Sequence, residues 1–314
     1  MESQMSNKFL STTSAFLLST SMLVADVPKV TVDIAPVHSL VSSVMEGVGK
    51  PDLIMPAGAS PHEYQLKPSN AKSLQDADVV FWIGEDLTPW LENGLESLAR
   101  NASTTSLLGV DGIELLSFRE GALFEAHDHD DHDDHDDHAG HDHGEYDPHA
   151  WLSTNNAKTW LNVIAARLSS IDPDNAGAYF ANASEARGEM DALDVEINTM
   201  LDPVRGGKFV VFHDAYQYFE TVYDFPASGA ISLGDASDPS AARVAEIANR
   251  IKSENIACVL SEPQFNAGLV KTVMGGTDAT TEVIDPLGFG IEPGKSLYPK
   301  LIRAMAQSLV NCLK

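Results

Sequence analysis

Short apolar runs alternate with helix-forming segments from residue 30 onward, and this alternation constrains the fold more than any other feature. In the first part of the chain, the predicted strands are residues 30–34, 53–55 and 79–83, and the predicted helices are residues 36–48, 68–76 and 88–100. In the second part, the predicted strands are residues 209–212, 256–261 and 281–284, and the predicted helices are residues 216–223, 240–253, 269–275 and 296–313. Such alternation is typical of parallel sheets covered by helices, so we predict an α/β fold with two βα lobes.

A polar, alanine-rich segment separates the two parts. Asp172 and Pro173 predict the start of a helix that continues to about Met200. At 1.5 Å per residue this helix would be roughly 40 Å long, so we expect it to join the lobes as a rigid connector. The predicted domains are an N-terminal lobe at residues 26–157, a helical connector at 158–204 and a C-terminal lobe at 205–314.

The N-terminus predicts a secretory signal peptide. Lys8 precedes an uncharged, largely apolar stretch at residues 9–24, and Ala25 offers a small residue for cleavage. A membrane anchor is the alternative, but the stretch is shorter than the roughly 20 apolar residues of a membrane span. We therefore expect residues 1–25 to be removed and the mature protein to be periplasmic. Because no cysteine stands at the cleavage site, we expect no lipid anchor.

The chain is strongly acidic, with a net charge of −26 from 46 acidic and 20 basic side chains. Nucleic acids and anionic membrane surfaces would repel such a chain, so neither is an expected partner. A cationic ligand fits this charge better.

Two cysteines occur, Cys258 and Cys312, and an even number in an exported chain indicates one disulfide. This bond would attach the final helix to a strand of the second lobe. Two free thiols, or zinc binding by the cysteine pair, are the alternatives.

One segment breaks the strand–helix pattern. Between His127 and His143 the chain has seven histidines and eight aspartates, a composition that cannot form a core. We therefore predict a disordered loop over residues 118–146 that collects zinc weakly or senses its abundance and passes metal to a tighter site. The alternative is a tolerated insertion that binds metal only incidentally. The predicted secondary ligands are His127, His129, His132, His135, His138, His141 and His143.

Three further histidines, His62, His149 and His213, lie at or shortly beyond the ends of predicted elements. Ligands of open α/β sheets bind outside the carboxyl ends of the strands, so these side chains could meet in one cleft. Asp285 follows a predicted strand and would complete a site with three nitrogen ligands and one oxygen ligand. This set suits Zn²⁺ better than Mn²⁺. The alternative for each histidine is a structural role, and the alternative for Asp285 is a helix cap or a turn residue.

Two other residues near these positions have different predicted roles. Glu262 follows a strand at the same edge, and we expect it to orient a metal-binding histidine rather than to bind the metal. His38 begins a predicted helix, and we expect a structural or surface role.

Five motifs together resemble the ZnuA-like zinc-binding proteins of ABC importers. They are residues 58–69, 147–153, 211–219, 262–265 and 285–288, in this order around the acidic histidine-rich insertion. The resemblance covers essentially the whole mature chain. It implies two βα lobes joined by a rigid helix, with zinc bound between them by His62, His149 and His213.

The resemblance also bears on the fourth ligand and the metal. Some zinc-specific members carry Glu before the first histidine, where this chain has Pro61, and this difference favours Asp285 over that ligand. Water is the alternative fourth ligand. Manganese and iron relatives place Glu where His213 stands, which favours zinc.

The resemblance implies a high-affinity zinc-binding component that delivers Zn²⁺ to an ABC permease in the inner membrane. A periplasmic zinc chaperone is a further candidate partner, and we expect a monomer without enzymatic activity. The alternatives are a binding protein for Mn²⁺ or another divalent metal, a secreted zinc hydrolase with Glu262 as general base, and a host-surface adhesin.

Overall fold

The computed structural model describes residues 27–119, 124, 146–232, 239–265 and 267–314. The strands are β1 (Val30–Val32), β2 (Asp52–Leu53), β3 (Val79–Trp82), β4 (Ser103–Ser106), β5 (Phe209–His213), β6 (Ala230–Ser232), β7 (Cys258–Ser261) and β8 (Thr280–Val283). They form two four-stranded sheets with the orders β2-β1-β3-β4 and β6-β5-β7-β8. All of the pairings are parallel. The predicted α/β fold with two parallel-sheet lobes is therefore confirmed.

The helices cover the sheets and fill the space between them. They are α1 (Ala35–Val44), α2 (Pro68–Asp76), α3 (Pro89–Leu98), α4 (Thr154–Ile171), α5 (Ala176–Leu201), α6 (Gln217–Tyr223), α7 (Ala241–Glu254), α8 (Ala267–Val273) and α9 (Leu297–Leu313). Most begin and end within a few residues of their predicted bounds.

The inner strands β1, β3 and β5 are buried along their whole length. Strands covered by helices on both faces need apolar side chains at successive positions, which is the pattern that made them predictable. The edge strands β4 and β6 were not predicted. The former has the polar sequence Ser-Thr-Thr-Ser and the latter has only three residues, so neither carries an apolar run long enough to recognise.

The long central helix is confirmed, with two differences from the prediction. Regular α-helix begins at Ala176, after a 3-10 turn at Pro173–Asn175, and α4 precedes this turn as a separate helix. The 26 residues of α5 correspond to about 39 Å. This helix packs against α4, α1 and α9, so neighbours from both parts of the chain support it.

A disulfide joins Cys258 of β7 to Cys312 of α9, as predicted, and attaches the final helix to the second sheet. No helix among the described residues is long and apolar enough to span a membrane. The predicted signal peptide and the seven histidines of the predicted loop lie outside the described residues. The predicted domain boundaries stay predictions.

Candidate metal centre

His213 is the last residue of β5, and its side chain is almost fully buried. Its Nδ1 lies 2.6 Å from Glu262 Oε1, just beyond the end of β7. Gln264 Nε2 donates to the other oxygen of Glu262 at 3.1 Å. When Nδ1–H of a neutral imidazole donates to a carboxylate, Nε2 carries the lone pair that can bind a metal. Glu262 thus has the orienting position expected of it.

His149 has a similar carboxylate behind its ring. Asp147 Oδ1 lies 2.7 Å from His149 Nδ1 and accepts the His149 backbone N–H at 3.0 Å. Both residues are buried. Trp151 anchors the following 3-10 turn, because its Nε1 donates to the Pro286 carbonyl at 2.8 Å. This role of Asp147 was not predicted, although an acidic residue two positions before a candidate ligand was a usable signal.

His62 comes from the connection between β2 and α2 and is half-buried. Its backbone N–H donates to Ser60 Oγ at 3.2 Å. The Pro61 carbonyl accepts a hydrogen bond from Trp90 Nε1 at 2.6 Å, which attaches the turn to α3. A turn, rather than a strand end, therefore positions this histidine.

The structure brings the three predicted histidines together. The ring centres of His62 and His149 are 5.5 Å apart, and those of His149 and His213 are 5.3 Å apart. Two imidazoles on one tetrahedral Zn²⁺, each with a Zn–N bond of about 2.0–2.1 Å, would have ring centres roughly 5 Å apart. In the arrangement shown, no group of three or more His, Cys, Asp or Glu side chains among the described residues could hold a metal ion.

Asp285 lies in a tight turn directly after Ile284. Its carboxylate accepts the backbone N–H groups of Leu287 at 2.9 Å and Gly288 at 3.0 Å, together with that of Phe289. The carboxylate therefore stabilises the turn, and its role as a fourth ligand stays a prediction.

Tyr216 packs beside His213 and is influenced by the charge of Asp285. Its ring centre is 6.2 Å from that of His213. Burial raises the pKa of Tyr216 well above its usual value, and the negative charges of Glu262 and Asp285 raise it further. Asp285 is thus close enough to act electrostatically on a side chain that packs against His213.

Burial also raises the pKa of Asp147 to about 7. The backbone N–H of His149 and the positive charge of Arg119 oppose this shift. Burial likewise raises the pKa of Asp214, against hydrogen bonds from Arg119. Both carboxylates therefore hold their negative charge less readily than in water, and a nearby positive charge opposes this shift.

The other candidates have structural contacts. The Nε2 of His38 lies 3.1 Å from the Pro51 carbonyl oxygen, and its Nδ1 lies 3.4 Å from Ser42 Oγ. These contacts agree with the structural role expected of His38. Glu262, which a hydrolase would need as general base, instead accepts hydrogen bonds from His213 and Gln264.

Fold and site together define a class: two-lobed α/β proteins with parallel sheets, a long helix between the lobes and histidines where the lobes meet. Residues 30–312 match the ZnuA family, described as zinc-uptake complex component A, periplasmic. This chain belongs to that family, and the resemblance inferred from its motifs is confirmed.

Individual relatives agree with this assignment. The high-affinity zinc uptake system protein ZnuA of Brucella abortus is 44% identical, with 96% of each chain covered. The protein of the same name from Paracoccus denitrificans is 42% identical, and the match covers 92% of this chain and 93% of that protein. A crystal structure of ZnuA superposes with a TM-score of 0.76 at 24% identity, covering 92% of this chain and 100% of the other. The family is thus one of zinc uptake, as expected, and the alternative functions are not favoured.

Proposed function

We propose that this chain captures Zn²⁺ between its two lobes through His62, His149 and His213, with Asp285 as the fourth ligand. The observation that carries this proposal is the side-by-side arrangement of three imidazoles from three separate chain segments, with ring centres 5.5 and 5.3 Å apart. The zinc-uptake description of the family supports it.

The carboxylates behind the rings explain how the chain would bind zinc. Asp147 and Glu262 hold His149 and His213 with Nδ1 as the hydrogen-bonded nitrogen, which directs Nε2 toward the ion. Such carboxylates also raise the basicity of the imidazole and fix its orientation before the metal arrives. Three nitrogens and one carboxylate oxygen are a suitable tetrahedral set for Zn²⁺.

The same geometry argues for binding without catalysis. A site closed by four protein ligands has no open position for a reacting water, which a catalytic zinc site requires. Glu262 is buried behind His213, so its carboxylate is committed to holding the ligand.

Delivery needs a partner that lowers the affinity of the site. We propose that the mature chain, a monomer released in the periplasm after loss of residues 1–25, docks on the permease of an ABC importer. A periplasmic zinc chaperone and the histidine-rich segment 118–146 would supply metal to the site. The periplasmic description of the family supports this location.

The proposal is tested by titrating metal-free protein with Zn²⁺ and Mn²⁺ in a calorimeter. Wild type should bind one zinc ion tightly and Mn²⁺ much more weakly. His213→Ala should lose more than 100-fold in zinc affinity, because even removal of an outer partner of a metal ligand costs about 10–100-fold. His38→Ala is the matched control, since it removes an imidazole from α1 whose contacts are structural.

A variant lacking residues 127–143 separates the two kinds of zinc binding. The tight site should persist in this variant. Tight Mn²⁺ binding, unchanged affinity in His213→Ala, or zinc binding only through residues 127–143 would each contradict the proposed site.

A further inference from the structure

Arg119 forms ion pairs with two buried carboxylates beside the candidate metal centre. Its Nε donates to Asp214 Oδ1 at 3.1 Å and Oδ2 at 3.0 Å. Its Nη1 and Nη2 donate to the two oxygens of Glu220 at 2.7 and 3.1 Å. Only 16% of the Arg119 side chain is exposed, against 6% for each carboxylate. Bidentate pairing on both sides fixes the position and the plane of the guanidinium.

The two carboxylates belong to the turn and helix that follow His213. Asp214 is the next residue in the chain, and Glu220 lies one helical turn into α6. Glu220 Oε2 also accepts the backbone N–H of Ala227 at 3.0 Å, so it connects α6 to the chain beyond it. The Arg119 contacts therefore restrain the element that carries His213.

The backbone around Arg119 leads to the other buried histidine. Ser117 forms an isolated antiparallel bridge with Tyr146. The next residue, Asp147, donates its N–H to the Leu116 carbonyl at 2.8 Å. Since Asp147 is the hydrogen-bond acceptor behind His149, the segment that carries Arg119 also supports that ligand.

Tyr218 supplies a second connection between the same two regions. Its hydroxyl accepts the Leu116 N–H at 3.0 Å and donates to the Asp147 carbonyl at 2.9 Å. Helix α6 is thus attached to the segment around Asp147 by Tyr218 and by Arg119. The second attachment is ionic and depends on one cation.

Removal of that cation would leave Asp214 and Glu220 buried without their cationic partner. Burying unpaired charges is strongly unfavourable, so the carboxylates would take up protons or the turn would move until they reached water, and either change loses the pairing that holds the turn. The turn cannot move without displacing His213, because Asp214 is covalently adjacent to it.

We propose that Arg119 is a positioning residue for zinc capture. Through Asp214 and Glu220 it holds His213 at the correct distance from His149, so that both Nε2 atoms can meet one ion. This inference rests on the proposed function, and it adds a residue that does not itself touch the metal.

The test compares Arg119→Ala and Arg119→Lys with a matched control, Lys158→Ala. Lys158 also pairs with two carboxylates, Asp191 at 2.9 Å and Asp194 at 3.1 Å, but it joins α4 to α5. Its side chain is 20% exposed, close to the value for Arg119. Zinc affinity is measured by competition with a chelator, coordination geometry by the visible absorption of the Co²⁺-loaded protein, and folding by circular dichroism.

Arg119→Ala should bind zinc about 10–100-fold more weakly than wild type, the usual effect of removing an outer partner, and its Co²⁺ spectrum should change. The zinc affinity of Arg119→Lys should lie between those of wild type and Arg119→Ala, because a single ammonium cannot pair bidentately with two carboxylates. Lys158→Ala should keep wild-type affinity and spectrum.

Three results would overturn the inference. The first is a folded Arg119→Ala with wild-type affinity and spectrum. The second is an equal loss of affinity in Lys158→Ala, which would show a general effect of stability. The third applies if Arg119→Ala does not fold, and it is an Arg119→Lys protein with the affinity and the spectrum of wild type. Weak zinc binding by wild type, or unchanged binding in His213→Ala, would instead defeat the proposed function before Arg119 is tested.

Discussion

The two sheets have the same strand order, yet a different side chain follows the apolar part of the first strand in each. In the N-terminal sheet this residue is Asp33, which is fully buried. Its two oxygens accept the backbone N–H groups of Ile34 at 2.8 Å and Ile83 at 2.7 Å, and so connect the ends of β1 and β3. In the C-terminal sheet the residue is His213, whose ring bonds to Glu262 beyond β7.

This difference teaches that the same strand order provides an equivalent position in both sheets, and that the residue at this position can have a different role in each. Polar side chains lie at the carboxyl edge of a parallel sheet. The type of side chain decides whether it connects the strand ends by hydrogen bonds or binds a ligand. The segment before α2 supplies His62 from a turn instead, and His62 is half-buried where His213 is 3% exposed. We therefore expect His213 to be the more fixed candidate ligand and His62 the more adjustable one.

Loss of the disulfide should produce the largest effect on the free energy of unfolding. It sharpens the contrast between the lobes because both cysteines lie in the second lobe. The bond joins residues separated by 54 positions. A double variant, Cys258→Ser with Cys312→Ser, should lose about 4 kcal/mol of the free energy of unfolding, the value for a loop of this size. Chemical denaturation measures this loss, and wild type treated with a reductant should behave alike. Equal stability of the oxidised and reduced proteins would contradict it.

The buried carboxylate of the first lobe should make stability depend on pH. Burial raises the pKa of Asp33 to about 7, against hydrogen bonds from Ile83 and Ile34. An unfolded Asp titrates near pH 3.9, so the folded state holds this proton more tightly, and the associated stability is present at acid pH and lost as the pH rises through about 7.

The expected contribution to the free energy of unfolding is a loss of about 2–3 kcal/mol between pH 5 and pH 8. Asp33→Asn should remove this contribution, while the similar contribution of Asp147, whose pKa burial also raises to about 7, should stay. The substitution also removes one of the two hydrogen bonds, because the amide nitrogen of Asn cannot accept a backbone N–H. Urea denaturation at both pH values measures the slope, and the exposed Asp52→Asn is the control. An Asp33→Asn protein with the wild-type slope would show that Asp33 is not the group responsible.

The smallest effect concerns the two lobes directly. His62→Ala should weaken zinc binding about tenfold less than His213→Ala, a difference of about 1.4 kcal/mol. Water can occupy the position of a ligand on a half-buried turn, whereas loss of His213 also takes away one of the hydrogen-bond donors to the buried Glu262 and leaves Gln264. Chelator competition on both variants provides the comparison. Equal losses would break the distinction between a fixed and an adjustable ligand.

Much of the fold was predictable from local patterns. Apolar runs and helical periodicity located the inner strands and most helices, because burial on both faces demands such runs. They did not reveal the edge strands β4 and β6, which are polar or very short. They also missed α4 as a helix separate from α5, although the two are divided by Pro173.

The candidate site was predictable in part. Placement near strand ends identified His62, His149 and His213, and the structure brings their rings together. The same reasoning identified Asp285, but its carboxylate accepts hydrogen bonds within its own turn. The sequence Asp285-Pro286-Leu287-Gly288 is itself a turn signal, because an Asp side chain readily accepts backbone N–H groups two or more residues further on.

By itself, the sequence determined the parallel α/β class, the cysteine pair and the identity of the candidate histidines, because these follow from local composition and spacing. Only the tertiary structure decided which histidine each carboxylate supports. In the second sheet Val210 pairs with Val259, and this register places His213 opposite Glu262. Arg119 meets Asp214 and Glu220 across about a hundred residues of chain. Such contacts depend on register and packing between distant segments, which no local pattern encodes.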